Sequence, residues 1–210
     1  MKPLKSVSSP PLSRKILRKV AVRGPNWAFT PRDFADLGDP RSVGMALTRL
    51  DRSGKIRRLG WGLYDRPHPH PILGLSGAST DAVVKALARG RRLRLLPSPQ
   101  LASNQLGLST QVPAKLVYHT DGAPTKIRLD NLEIIFRRNS GRLLALAGRA
   151  SGVVAQALRD LGEENITPDV IRHLRTRLDD KSRRQIADDV HLVPAWMRPV
   201  FKELSSDGGH

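Results

Sequence analysis

The sequence predicts an α+β chain: helices and a hairpin at the N-terminal end, a small mixed stretch in the middle, and helices alone toward the C-terminus. Three observations predict it. Between Asp39 and Ser53 the apolar residues Val43, Ala46, Leu47 and Leu50 recur at i, i+3, i+4 and i+7, the period of a helix with one buried stripe. Directly after it, Lys55-Ile56-Arg57-Arg58-Leu59 alternates basic and apolar, as a half-buried strand does, and Gly60-Trp61-Gly62 turns the chain back through Leu63-Tyr64-Asp65. From Ser140 onward the alternation stops and helical periods follow one another.

The N-terminal elements follow in order. Met1 to Pro11 is rich in Ser, Pro and Lys and reads as a flexible basic arm. Leu12 to Val22 is helical: Leu12, Ile16, Leu17 and Val20 make one stripe, with Arg14, Lys15, Arg18 and Lys19 around it. Gly24-Pro25 ends that helix. Trp27 and Phe29 then enter the core as a short β segment. Thr30 caps a short helix from Pro31 to Leu37, where Pro31 at the first position has no N–H to lose. Gly38 ends it in the left-handed turn that glycine tolerates. Asp39 caps the next helix, which opens at Pro40. Helix, turn, helix and basic hairpin in this order predict a winged helix-turn-helix over residues 12–66.

A turn of about 100° per residue sets Arg41, Met45, Thr48 and Arg52 opposite the apolar stripe, flanked by Ser42 and Arg49. Guanidinium and hydroxyl groups on one helix face reach phosphates and base edges in a major groove. The hairpin adds Lys55, Arg57, Arg58 and Trp61 beside that face. Thr30 and Arg32, at the start of the short helix, complete the expected DNA-binding set.

Charge points the same way. Lys and Arg number 36 against 19 Asp and Glu, a net charge of +17 with a pI near 11.3, so a polyanionic partner is favoured. Residues 1–66 carry 15 basic and 5 acidic residues, residues 67–140 carry 10 and 4, and residues 141–210 carry 11 and 10. The polyanion is therefore expected at the N-terminal end. The near-neutral tail is expected to pack or to meet a protein. Cysteine is absent, which removes disulfides and thiol catalysis and fits a reducing, cytoplasmic setting. No apolar run approaches the length of about 20 residues that spans a membrane. The N-terminus lacks the apolar stretch of a signal peptide.

Arg66-Pro67-His68-Pro69-His70-Pro71 reads as a stiff linker, extended by small residues to Ser79. His68 and His70 raise the question of a metal, but no third or fourth ligand lies nearby in sequence, and no cofactor is expected. Thr80-Asp81 caps a helix to about Ala88 that buries Val83, Val84 and Leu87. Arg89-Gly90-Arg91-Arg92 is read either as a nucleic-acid contact or as a solvated turn. Strands follow at 93–96, 115–119, 126–129 and 132–137, with a short helix through Leu106 and a hairpin turn at Asp130-Asn131. Residues 80–138 make a small α+β domain. Residues 80–210 as a whole form the second module, its tail carried by helices around Leu143, Val154, Leu174, Ser182 to Val190 and Pro194 to Leu204.

Catalytic patterns are scarce. The chain has no GxxxxGK[ST] loop and no GxSxG elbow. A metal-dependent nuclease wants an acid followed by E-x-K on a strand. Asp121 or Asp130 with Glu133 begins that pattern, but Ile135 stands in the lysine position. The doublets Asp179-Asp180 and Asp188-Asp189 fit helix capping and solubility better than metal binding. The chain is therefore expected not to be an enzyme. A DNA-directed enzyme with a nuclease-like second domain and a non-specific nucleic-acid binder are the alternatives.

F-T-P-R-D-F-A-D-L-G (Phe29–Gly38), A-L-T-R-L (Ala46–Leu50) and G-K-I-R-R-L-G-W-G-L-Y-D-R-P (Gly54–Pro67) resemble the AbiEi-type antitoxins of bacterial type IV toxin–antitoxin systems. S-P-Q-L-A-S-N-Q-L-G-L (Ser98–Leu108) and L-D-N-L-E-I-I-F (Leu129–Phe136) look like the middle domain of such proteins. The resemblance covers about residues 12–140. It implies an antitoxin and transcriptional autorepressor that binds its own operator as double-stranded DNA. Its partner in effect would be a nucleotidyltransferase-like toxin, countered with or without direct contact. It also implies that the winged module represses and the C-terminal part protects. The toxin's own signature, Gly-Ser followed by Asp-x-Asp, is absent.

Overall fold

The computed structural model describes residues 11–60, 62–70, 74–111, 113–129 and 132–206. It is a mixed α+β chain that divides into two compact units, residues 1–92 and 93–210. The expected basic arm lies outside the described residues up to Pro10, as does Trp61.

The first unit opens with helix α1 (Leu12–Arg23), which buries Ile16 and Val20. Phe29 enters the core and exchanges two backbone hydrogen bonds with Tyr64, at 2.9 and 2.8 Å. The short helix expected over 31–37 is a 3-10 turn over Pro31–Phe34. The Asp33 carboxylate reaches back to accept from the N–H and the hydroxyl of Thr30, at 2.8 and 3.1 Å, and this tightens the turn. Gly38 is not left-handed, contrary to expectation, whereas Gly54 is, at φ +66°. Helix α2 (Pro40–Arg52) begins where the Asp39 carboxylate accepts from the Ser42 N–H at 2.9 Å. It buries the predicted stripe of Val43, Ala46, Leu47 and Leu50.

Strands β1 (Arg57–Gly60) and β2 (Leu63–Asp65) pair antiparallel. The unit's core joins these elements through Phe29, Phe34, Leu47, Ile56 and Tyr64. Phe29 and Phe34 meet edge to face, 5.4 Å apart at 83°. Such a pair contributes about 0.5–1.5 kcal/mol beyond the burial itself.

The expected stiff linker is not a plain connector. His68–His70 (β3) and Gly74–Ser76 (β4) pair as a second antiparallel ladder. Pro69 fits this, because a two-stranded ladder leaves outward edges where no N–H is needed. Helix α3 (Thr80–Arg91), capped by Ser79 rather than Thr80, was expected to open the second module. It belongs to the first unit. Arg89 donates to the Asp33 carboxylate at 3.1 Å and to the Ala28 carbonyl at 2.9 Å. Gly90 lies so close to Thr30 that a Cβ there would sit 2.8 Å from Thr30 Cγ2. The chain thus divides at Arg92/Leu93 and not at 79/80.

The second unit holds a four-stranded sheet of β5 (Leu95–Pro97), β6 (Lys115–Thr120), β7 (Thr125–Leu129) and β8 (Leu132–Arg138), in spatial order β5-β6-β8-β7. β6 and β8 run parallel, because β7 takes the edge and β8 returns between it and β6. The turn residues Asp130 and Asn131 lie outside the described residues. Helix α4 (Pro99–Gln105), capped by Ser98, follows β5, and Gly107 at φ +72° follows its end.

Helix α5 (Ala150–Leu161) is the unit's central element and packs on α4 and β5. Around it lie α6 (Pro168–Arg177), α7 (Asp180–Asp189) and α8 (Arg198–Ser205), whose core includes Leu158, Leu174, Ile186 and Phe201. Asp179 caps α7 as expected of an acidic doublet, accepting from the Ser182 N–H at 2.8 Å. Asp189 departs from the solubility reading. It is 2% exposed, takes a hydrogen bond from the Ser151 hydroxyl and pairs with Arg149 at 2.8 Å.

Candidate nucleic-acid interface

The inward stripe of α2 fixes what its other face presents. With Val43, Ala46, Leu47 and Leu50 buried, Arg41, Met45, Thr48, Arg49 and Arg52 are exposed. Two of these side chains also bond within the helix. The Thr48 hydroxyl donates to the Gly44 carbonyl at 3.0 Å, and Arg49 Nε to the Met45 carbonyl at 3.4 Å. Ser42 is half-buried, and with its N–H and hydroxyl it holds the Asp39 carboxyl below its ordinary range. Met45, 48% exposed, gives the cationic face an apolar centre, the type of contact that meets a thymine methyl.

The hairpin is tied to α2 through Asp51, whose carboxylate accepts from the Arg58 N–H at 3.1 Å. Lys55 and Arg58 are exposed beside the helix. Arg57 is placed otherwise than expected. It stands at the base of the hairpin, in register with Asp65. Its Nε and Nη2 donate to the two oxygens of the Asp65 carboxylate at 3.0 and 2.7 Å, and that side chain has 0% exposure. Ala78 N–H donates to the same carboxylate at 3.0 Å. Arg57 is therefore a structural cation over a buried acid.

Thr30 also leaves the expected set. It is 8% exposed, and its hydroxyl is engaged by Asp33. Arg32 is exposed but leans on the Gly90 carbonyl at 3.4 Å. Trp61 lies outside the described residues. The face that the fold brings together is thus Arg41, Thr48, Arg49 and Arg52 with Lys55 and Arg58. The sequence reading missed Asp51 and Asp65, the two acids that hold the hairpin. The available signal was the spacing of Asp65 opposite Arg57 across the Gly60–Gly62 turn.

Of the arginine cluster at the end of α3, Arg89 is bonded inward, and Arg92 takes the left-handed conformation that ends the helix, at φ +55°. In the second unit, Glu133 is nearly buried between Lys115 and Lys126, which approach its oxygens at 3.2 and 2.5 Å. Asp121 pairs with Arg94 at 2.9 Å. Of the acids in the nuclease-like pattern, Asp121 and Glu133 are thus paired with neighbouring cations, and Asp130 lies outside the described residues. Among the described residues no group of three or more His, Asp or Glu is arranged to hold a metal, and no helix is long and apolar enough to cross a membrane.

His119 on β6 is in register with Arg137 on β8. Its burial first, and then the cations Arg137 and Arg159, hold its pKa below the ordinary 6.5. The imidazole is neutral at pH 7. The unfolded chain takes up this proton before the folded one does. Any stability from the group is therefore fully present above pH 6.5 and is lost as pH falls toward the folded value. An NMR titration of the His119 ring should show a midpoint below 6.5 that rises in Arg137→Gln. A midpoint at or above 6.5 would contradict this placement.

A family described as a family of unknown function, DUF6088, matches residues 15–186, and the chain belongs to it. No curated protein matches the chain. Among solved structures it is similar to the crystal structure of RV2827C protein from Mycobacterium tuberculosis, at 14% identity and a TM-score of 0.38 over 94% of this chain and 83% of that one.

Proposed function

We propose that residues 12–66 act as a winged helix-turn-helix that reads operator DNA, and that the whole chain is an antitoxin and autorepressor of a type IV toxin–antitoxin operon. The observation that carries the DNA reading is the outward face of α2. Three arginines and a threonine are exposed on a helix whose opposite stripe is locked in the core, and a hairpin with Lys55 and Arg58 is tied to its end. A helix held this way can enter a major groove without moving, while the hairpin cations lie against the flanking phosphates. The antitoxin role rests on the resemblance of Phe29–Gly38, Ala46–Leu50 and Gly54–Pro67 to AbiEi-type antitoxins. The partner it implies is a nucleotidyltransferase-like toxin.

The test uses the full chain co-expressed with the toxin gene next to its own, scoring growth and promoter activity separately. Arg41→Ala/Arg52→Ala is expected to derepress the promoter and leave protection intact. Loss of both at normal protein levels would mean that repression and protection are one function. Failure of the wild-type chain to protect would remove the antitoxin role and leave the DNA reading standing.

A further inference from the structure

The second unit contains a cavity of about 600 Å³ that DNA binding by α2 does not use. Its walls include Gln156, Arg142, Arg159, Trp196, Leu192 and Pro194. Gln156 is 1% exposed, on the buried side of α5. Its Nε2 donates to the Pro97 carbonyl at 2.8 Å. A carbonyl only accepts, so this bond fixes which way the amide is turned. The other amide atom, Oε1, is buried with no hydrogen-bond partner. A buried acceptor left unpaired is costly; Oε1 is closed to solvent, and a small turn of the Gln156 side chain in the cavity wall would offer it to a donor.

The rest of the cavity limits what the donor belongs to. Trp196 is half-buried and Leu192 and Pro194 adjoin it, so part of the wall is apolar and aromatic. Arg142 and Arg159 are exposed, and neither forms an ion pair among the described residues. An acceptor, an apolar aromatic wall and two exposed guanidiniums match an N–H donor, a flat ring and an anion in one molecule. The volume lies within the range of about 300–1,000 Å³ usual for small-ligand sites.

We propose that this cavity binds a nucleoside monophosphate, with the base donating to Gln156 Oε1 against Trp196 and the phosphate held by Arg142 and Arg159. The nucleotide is met either free or as the 5′-phosphorylated end of a single strand, which offers the same chemistry. The proposal is independent of the DNA reading.

Calorimetry on the full chain tests it with AMP, CMP, GMP, UMP and inorganic phosphate. At least one nucleotide is expected to bind about tenfold or more tightly than phosphate. Arg142→Ala/Arg159→Ala, at exposed positions that the core does not need, should weaken that nucleotide about tenfold or more. Gln156→Met should weaken the nucleotide but not phosphate, and Arg41→Ala/Arg52→Ala should change neither. A single strand with a 5′-phosphate that outbinds both the monomer and the same strand with a 5′-hydroxyl assigns the strand end. The monomer binding as well as the strand assigns the free nucleotide. Equal affinity for phosphate and every nucleotide would reduce the cavity to an anion site and overturn the proposal. So would an unchanged affinity in the double arginine variant, or tighter binding of a peptide ending in a free carboxylate.

Discussion

Arg57→Met is expected to destabilise the first unit by about 3 kcal/mol, the low end of the range of about 3–5 for breaking a buried ion pair. Asp65 has no exposed side-chain surface, and among the described residues two of the three hydrogen bonds to its carboxylate come from Arg57. Removing the guanidinium leaves a buried carboxylate with, among the described residues, only the Ala78 N–H. The low end applies because the Arg57 side chain is 48% exposed and water can reach part of the vacated site. Arg57→Met/Asp65→Leu should lose less than Arg57→Met alone, since no charge is then stranded. Hydrogen exchange at the Phe29 and Tyr64 amides reads the effect locally, because each bonds the other's carbonyl beside β2. Suppose instead that Arg57→Met keeps full protection there and lowers the salt dependence of DNA binding by one charge. Arg57 would then be a phosphate contact after all.

Arg57 also marks the limit of what the sequence makes legible. The alternation of Lys55 to Leu59 predicts a strand and sets Arg57 and Arg58 on opposite faces. It does not say which face is buried, so the spacing that sets Asp65 opposite Arg57 does not by itself reveal a buried pair. Helix α2 was legible because cap, proline, period and stop agree over one short stretch, from Asp39 to Gly54. The partner of α3 was not. Its own pattern predicts a helix, but the contact with the 3-10 turn depends on Gly90 meeting Thr30, a pair that no local period reveals. Chain order likewise suggests neighbouring antiparallel strands, so the parallel pairing of β6 and β8, with β7 at the edge, could not be read from spacing. Gln156 stands between Ala155 and Ala157 in α5, and only its bond to the Pro97 carbonyl distinguishes it from a surface residue.

The second large effect is expected on DNA. Arg41→Ala and Arg52→Ala should each cost about 1–3 kcal/mol on operator DNA and relax preference at one base position, while binding to unrelated duplex changes little. Both residues are exposed on α2, and neither supports the core, whose α2 contribution is Val43, Ala46, Leu47 and Leu50. Lys55→Ala and Arg58→Ala in the hairpin should act differently. They should weaken all duplexes alike and lower the slope of log affinity against log salt by about 0.9 each, as loss of one phosphate contact does. For Arg58 the anchoring bond is its backbone N–H to Asp51, which alanine retains, so the hairpin stays in place. Electrophoretic mobility or fluorescence anisotropy across a salt series separates the two behaviours. If about six phosphates are contacted, as the proposed interface expects, the full chain should give a slope of about −5. If the hairpin variants changed sequence preference and the α2 variants changed only the slope, the two elements would exchange roles. A face of α2 whose alanine variants altered neither would leave the exposed arginines as a solvated surface.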